Sequence, residues 1–401
     1  MKKQILFFAM GAAIMCGCTS GNKQTNAMTD NSNLNHDSLT LVIGSYAQSN
    51  EEGIKVYSFN QSTADFAFVS SITGISNPSF LVQASDKRRF YSVGEDEGKS
   101  ASAFALNYNP ENKSLSILNS QKTNGGAPCN ILASDDMKYV FTANYGGGNL
   151  SVFKLDSAGL LMPVTTVEFK GNGPDKERQA GPHIHSVNIT PDGKYLWAND
   201  LGSDRVRVLD MTAINSMCAS SDMKSGENNP DLENNIVHDD KNDIVLPEGT
   251  GPRHTCFTDD GRFAYIISEL SGEVIALKYN GSTKPEIIQT VKADTVDARG
   301  SADIHLSPDN KYLYASCRLK ADGVAVFRVD SINGSLQRVG YQLTGKHPRN
   351  FTITPNGKFL LVACRDENAV EVYSRNTQTG MLEYTGKKIE MKAPVCLQWV
   401  K

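Results

Sequence analysis

No segment of this 401-residue chain carries the Gly-x-x-x-x-Gly-Lys-Ser/Thr phosphate cradle, a Gly-x-Gly-x-x-Gly run opening a helix, His-Glu-x-x-His or Gly-x-Ser-x-Gly. The ready-made signatures of nucleotide hydrolysis, dinucleotide binding, zinc peptidases and nucleophile-elbow hydrolases are therefore missing. There is no Cys-x-x-Cys and no His/Cys cluster at zinc spacing. A formal charge of −4 gives no electrostatic case for nucleic acid. The most apolar run, residues 5–15, is too short to span a bilayer as a helix. No stretch holds a 3.6-residue apolar period over three turns, so helices should be few. Gly146-Gly147-Gly148 stands between two predicted strands and reads as a tight turn.

What the chain does have is a repeated phrase. A short segment entered through Pro or Ala is followed by a turn of the Pro-Asp-Gly kind and a run of aromatic and β-branched residues. It reads PHIHSVNITPDGKYLWAND from 182, PRHTCFTDDGRFAYIISE from 252, ADIHLSPDNKYLYASC from 302 and PRNFTITPNGKFLLVAC from 348. Weaker copies begin at Pro78 and Pro128, and a partial one at Pro394. The spacings are 50, 54, 70, 50, 46 and 46 residues, the length of a four-stranded propeller blade with one unit enlarged.

The two ends complete one another. The last copy supplies one innermost strand, while 41–45, 54–59 and 68–72 read as second, third and fourth strands. Joined, they make a seventh blade and remove the exposed sheet edges of an open array. The expectation is an all-β, seven-bladed propeller of four-stranded antiparallel blades over residues 39–401. Its ring is closed by the amino-terminal strands joining the carboxy-terminal one. The insertion at 211–243, with GENNPDLENN, reads as a surface excursion, flexible or folded against the rim.

Residues 1–18 are set apart from the fold. Lys2 and Lys3 precede the apolar run, which ends in Met15-Cys16-Gly17-Cys18. This resembles a bacterial lipoprotein signal with Cys18 as the lipidated residue and 19–38 as a flexible tether. The expected location is the cell envelope, with the membrane touched only through the lipid. The later cysteines, 129, 218, 256, 317, 364 and 396, fall mostly within strands. They read as free, buried thiols.

Candidate functional residues interrupt the repeat at equivalent places. The residue after each anchor is Ser79, Cys129, His183, Arg253, Asp303, Arg349 and Val395; two further on are Leu81, Ile131, His185, Thr255, His305, Phe351 and Leu397. Strand alternation puts both positions on one side, which in a propeller lines the central channel. A hydrocarbon core has no use for such imidazoles, guanidiniums and carboxylates. Glu269, Arg318 and Arg365 each close a second strand, so they should emerge at the same mouth. His254 alternates away from Arg253 and should pack between blades.

These residues carry a resemblance. PHIHS at 182–186, DLGSDRV at 200–206, GPRH at 251–254, SADIHLSPDNKYLYASCR at 301–318 and HPRNFTITPNGKFLLVA at 347–363 resemble the bacterial lactonase family. That family includes the cycloisomerase type of 6-phosphogluconolactonase and the fungal 3-carboxymuconate lactonizing enzyme. The resemblance implies a seven-bladed propeller and a site of histidine, glutamate and arginines. The matching positions are His185 or His183, Arg253 and Glu269, with Arg318 as a second arginine. The family's pentose-phosphate lactonase is a cytoplasmic activity, so export is a departure.

Opening a lactone needs a base to deprotonate water and positive charge where the carbonyl oxygen becomes anionic. The expectation assigns His185 (or His183) as base, Arg253 to the oxyanion or a carboxylate, and Glu269 to orient the base or shuttle its proton. Arg318 and Arg349 would bind the anionic group of a phosphorylated or carboxylated sugar lactone, with Asp303 and His305 beside it. No cofactor is called for. The arginines around Asp303 and Glu269 argue against a divalent ion. Two alternatives stay open: a cycloisomerase acting on muconate-type lactones with the same residues, and a non-enzymatic binding propeller at the cell surface.

Overall fold

The computed structural model describes residues 37–162, 165–220 and 238–401. The signal, the lipidation site Cys18 and the tether up to residue 36 lie outside the described residues, as do 221–237 and the side chain of Cys218. Among the described residues no helix is long and apolar enough to cross a membrane.

Seven antiparallel sheets of four strands are present. The first blade joins Pro394–Trp399 to Ser38–Ser45, Ile54–Asn60 and Phe66–Ile72, as the complementary ends require. The innermost strands of the other six are Leu81–Gln83, Pro128–Ala133, Ile184–Ile189, Pro252–Phe257, Ser301–Leu306 and Pro348–Ile353. Each innermost strand touches the next, around to the first again. The inner edge of each sheet is one short strand shielded between its neighbours around the axis, which is how radial closure protects the edges of an all-β chain.

The turn of the repeat has a local cause. In TPDG the Thr190 hydroxyl donates to Asp192 Oδ1 at 2.7 Å, and the same contact joins Thr258 to Asp260 and Ser307 to Asp309. The residue five places after this Ser or Thr begins the strand that follows. At that bend Gly193 has φ +70°, a conformation glycine adopts without steric cost.

The second strands run toward continuous burial; Tyr139–Asn144 and Phe263–Ser268 are buried at every residue. Both their faces pack on neighbouring blades, so the apolar core is a series of layers between blades. One such layer joins Tyr265, Ile267 and Val274 of the fifth blade to Ile304, Leu313 and Phe327 of the sixth. Polar ties cross the same seams. Tyr265 and Tyr314 donate to the carbonyls of Gly334 and Gly380 in the next blade, at 3.0 and 2.7 Å.

The insertion differs in part from expectation. It begins with a helix, Met211–Ser220, whose Met211 and Ile214 are buried against the layer between the third and fourth blades. Two apolar residues three apart suffice to anchor a short helix but are too few to register as a period. The enlarged blade takes its fourth strand from Ile244–Val245. Cys129, Cys317, Cys364 and Cys396 are free and buried, and Cys256 is free and half-buried.

Candidate active site

The ladder between the first two strands of a blade slips at one place, and that slip builds the site. Pro252 pairs with Ser268 and His254 with Ile267, leaving Arg253 unpaired. The same bulge leaves out Cys129, His185 and Arg349. A bulge re-aims side chains locally. Here it breaks alternation, because Arg253 and His254, adjacent in sequence, line one pocket together with Cys129, Arg349 and Asn350. His254 therefore faces the channel and not the space between blades.

Register also revises two of the expected positions. Ile184 pairs with Asp200 as Pro252 pairs with Ser268, so His185 is the counterpart of Arg253. His183 precedes the strand; its ring stacks on Tyr145 with centroids 4.5 Å apart, and its Nδ1 lies 2.8 Å from the Tyr145 carbonyl. In the sixth blade Ser301 pairs with Cys317 and Ile304 with Ala315. Asp303 consequently stands level with His254, and Ala302 takes the place of Arg253. Counting from Pro or Ala missed both shifts because a bulge leaves no mark in composition.

A second ring lies where the second strands end. The residues following them are Tyr46, Glu95, Tyr145, Leu201, Glu269, Arg318 and Arg365. Glu269 is the hub. Its Oε2 accepts from Arg253 Nε at 2.8 Å and lies 3.2 Å from Arg318 Nη2; its Oε1 accepts from Arg178 Nη2 at 2.6 Å. His185 Nε2 is 3.9 Å from Oε2. Burial alone would raise the carboxyl pKa, but Arg318, Arg253 and Arg178 hold it down at about 2. Glu269 is thus ionised throughout the neutral range.

His185 is driven the other way. Burial pushes it well below 6.5, and Arg253, His254 and Arg349 add to the push. Its imidazole is neutral at pH 7, with Nδ1 3.7 Å from the Cys129 sulfur. Burial raises the Cys129 thiol, so it is no thiolate nucleophile.

The guanidiniums are held from behind. Arg253 donates to the Ala302 carbonyl at 2.5 Å; Arg318 donates to that of Gly300 at 2.6 Å and sits 3.1 Å from His347 Nε2. Burial and the facing Arg253 and Arg349 work against charge on Arg318, drawing its pKa to about 9, with Glu269 as the counterweight. Across the mouth Arg349 lies over the Tyr46 ring at 5.4 Å and 3.9 Å from Glu95 Oε1. Glu95 also accepts from the Tyr46 hydroxyl at 3.0 Å and from the Ser79 hydroxyl.

Asp303 and His305 are not part of this group of contacts. Asp303 accepts from His254 at 2.7 Å, His305 at 2.9 Å, Asn350 Nδ2 at 2.5 Å and the Phe351 amide at 3.2 Å. It binds blades together; Asn350 repeats the device on the Leu397 amide at 2.7 Å. His305 opens onto a separate pocket of about 290 Å³, lined also by Phe257, Ser307 and Ile353.

Sequence reading did not find Arg178, Glu95, Tyr46, Tyr145 or His347. Glu95, Tyr46 and Tyr145 share the register of Glu269, so extending the strand-end alignment to the weaker copies would have found them. Arg178 comes from the connection between the third and fourth blades, where no repeat reaches. Among the described residues, His238, Asp240 and Asp243 could gather around a cation, but Asp243 already accepts from buried Arg207 at 2.9 Å.

Comparison with known proteins adds three observations. The family described as "Lactonase, 7-bladed beta-propeller" matches residues 40–399. A 6-phosphogluconolactonase of Formosa agariphila is 32% identical over 367 residues, 89% of this chain and 98% of the relative. Two solved structures resemble the fold closely. The periplasmic gluconolactonase of Pseudomonas aeruginosa has a TM-score of 0.81 at 30% identity, covering 91% of this chain and 99% of that one. A Bacteroides fragilis protein described as a candidate 6-phosphogluconolactonase has a TM-score of 0.82 at 46% identity, with 91% and 98% covered.

Proposed function

The chain belongs to the family of seven-bladed β-propeller lactonases, and from that premise we propose that it hydrolyses a sugar lactone bearing a phosphate. The observation that carries the reading is Glu269, buried and ringed by Arg178, Arg253 and Arg318 with His185 3.9 Å away. A water at hydrogen-bonding distance from both His185 Nε2 and Glu269 Oε2 fits that separation.

In this mechanism the neutral imidazole of His185 takes a proton from that water as it attacks the lactone carbonyl. The ionised carboxylate of Glu269 stabilises the imidazolium that results. Arg253 is fixed in place before the reaction, so its positive charge favours the tetrahedral oxyanion over the planar ester at no cost in reorganisation. The protonated imidazole then returns its proton to the departing ring oxygen, which completes ring opening. Arg318 and Arg349 attract the anionic end of the substrate.

The activity test uses the purified protein with a phosphorylated sugar lactone, the unphosphorylated lactone and carboxymuconolactone, each corrected for spontaneous opening. Turnover of a sugar lactone above background is the expected result; turnover of carboxymuconolactone alone would put the cycloisomerase reading in its place. Export and lipidation at Cys18 are part of the proposal. A relative described as periplasmic supports the first. Partition of the native chain, but not Cys18→Ser, into a detergent phase tests the second.

A further inference from the structure

The three guanidiniums on Glu269 are not equivalent. Arg253 and Arg318 are 1% and 5% exposed, and each has backbone carbonyls that immobilise it from behind. Arg178 has a side chain 39% exposed. Its guanidinium contacts are Glu269 Oε1 at 2.6 Å and the Tyr145 hydroxyl at 3.4 Å. The backbone beneath it is rigid: Asp175 Oδ1 accepts from the Arg178 amide at 3.1 Å, and buried Gln179 is pegged to the Leu201 carbonyl and Asp204. Arg299 closes the loop from the far rim through Asp175 at 2.5 Å. The side chain can swing while the loop stays in place.

Charge in the mouth is unbalanced in a way that names the missing partner. Arg178, Arg253, Arg318 and Arg349 face two carboxylates, Glu95 and Glu269. Arg365 has its own counter-ion in Asp366, Arg299 has Asp175, and Asp303 is paired with His305, whose protonated form it favours. The excess is two positive charges, and a phosphate monoester carries roughly −1.5 to −2 at neutral pH. A carboxylate would supply only one charge.

We propose that Arg178 is the specificity-determining residue of the site: a phosphate on the lactone takes its guanidinium away from Glu269 Oε1, and so relieves of one cation the carboxylate whose Oε2 holds the attacking water. The inference rests on the lactonase reading above and adds to it a reason why a phosphorylated substrate would be turned over in preference to its neutral analogue. Phosphate accepts a bidentate guanidinium as well as a carboxylate does. The exchange therefore costs the guanidinium no hydrogen bond, and it leaves Glu269 with two cations instead of three.

The test compares the intact protein with Arg178→Ala and Arg178→Lys on the phosphorylated lactone and on the same lactone without phosphate. In Arg178→Ala the ratio of kcat/KM between the two substrates should fall about tenfold or more, as loss of one charge-assisted hydrogen bond implies. The fall should appear in KM for the phosphorylated substrate, and Arg178→Lys should restore part of it. An unchanged ratio, or an equal loss on both lactones, overturns the proposal. If the native protein opens neither sugar lactone, the functional reading fails by itself, and calorimetry with inorganic phosphate still decides on Arg178. About tenfold weaker binding by Arg178→Ala supports its role, and equal binding ends it.

Discussion

Glu95 and Glu269 occupy the same place in two different blades, each following the last residue of a second strand, Gly94 and Ser268. Their surroundings have little in common. Glu269 meets three guanidiniums; Glu95 meets the hydroxyls of Tyr46 and Ser79, with one guanidinium at 3.9 Å. The difference is made by residues that are themselves equivalent. At the bulge of its own blade Glu269 has Arg253 where Glu95 has Ser79. At the strand end of the following blade it has Arg318 where Glu95 has Tyr145. The repeat decides where a side chain stands, and substitutions within the repeat decide what chemistry gathers there.

Exchanging each carboxylate for its amide tests that distinction most severely. Glu269→Gln leaves buried guanidiniums uncompensated and should cost about 3–5 kcal/mol of stability. It should also lower kcat/KM on a sugar lactone by about a hundredfold or more. Glu95→Gln turns one of the two accepting oxygens of a half-buried group into a donor and should cost about 1 kcal/mol. Thermal unfolding and steady-state rates measure both. Comparable losses in the two variants would mean that the hub around Glu269 is not special.

The imidazoles sharpen the contrast next. His185 stands beside Glu269, whereas His183 stacks on Tyr145. His185→Ala should lower kcat by about 10²–10⁴-fold, the usual contribution of a general base. His183→Ala should be felt mainly in stability, by about 1 kcal/mol. A larger kinetic loss from His183→Ala would reverse the assignment of the base.

Acid should disturb the Glu269 side of the channel first. His185, His254 and His347 are all lowered by burial and by neighbouring arginines, His254 to about 4 and His347 to about 3. Between those values and 6.5 the unfolded chain binds more protons than the folded one, so stability falls as pH drops through that interval. Glu269, held at about 2, adds a further loss below 4.5. His305, raised by Asp303 against the effect of burial, has the opposite sign and loses its contribution as pH rises. The net expectation is a urea midpoint that declines steadily from pH 6.5 to 4. The acid limb of kcat/KM should lie below 6.5. A limb above that value would show that another group acts as base.

Much of this architecture was legible in the sequence because propeller blades repeat a phrase with a local cause, the Ser/Thr-x-Asp turn and the apolar second strand. Ring closure followed from two incomplete ends. The convergence of Arg253, Glu269 and Arg318 was also readable, since each stands at a strand terminus. The bulge was not. It moves His185 into the ring and Asp303 out of it through a one-residue slip of register, and neither side-chain type nor spacing records such a slip. Arg178 was hidden for a different reason: it belongs to a connection, and only its reach to Glu269 gives it meaning.

Arg349 offers the mildest perturbation, because it belongs to the Glu95 side of the mouth and shares its loose geometry. Its guanidinium lies over Tyr46 at 5.4 Å and 3.9 Å from Glu95, with 15% of its side chain exposed. Lysine at this position keeps the charge but loses the planar face that lies on the tyrosine ring. Arg349→Lys should therefore cost about 0.5–1 kcal/mol in stability. It should raise KM for a phosphorylated lactone by only about two- to fivefold, with kcat little changed. If its effect on kcat approached that of Glu269→Gln, the two carboxylates would have to be treated as one catalytic unit spanning the mouth, and their separation into unlike halves would be lost.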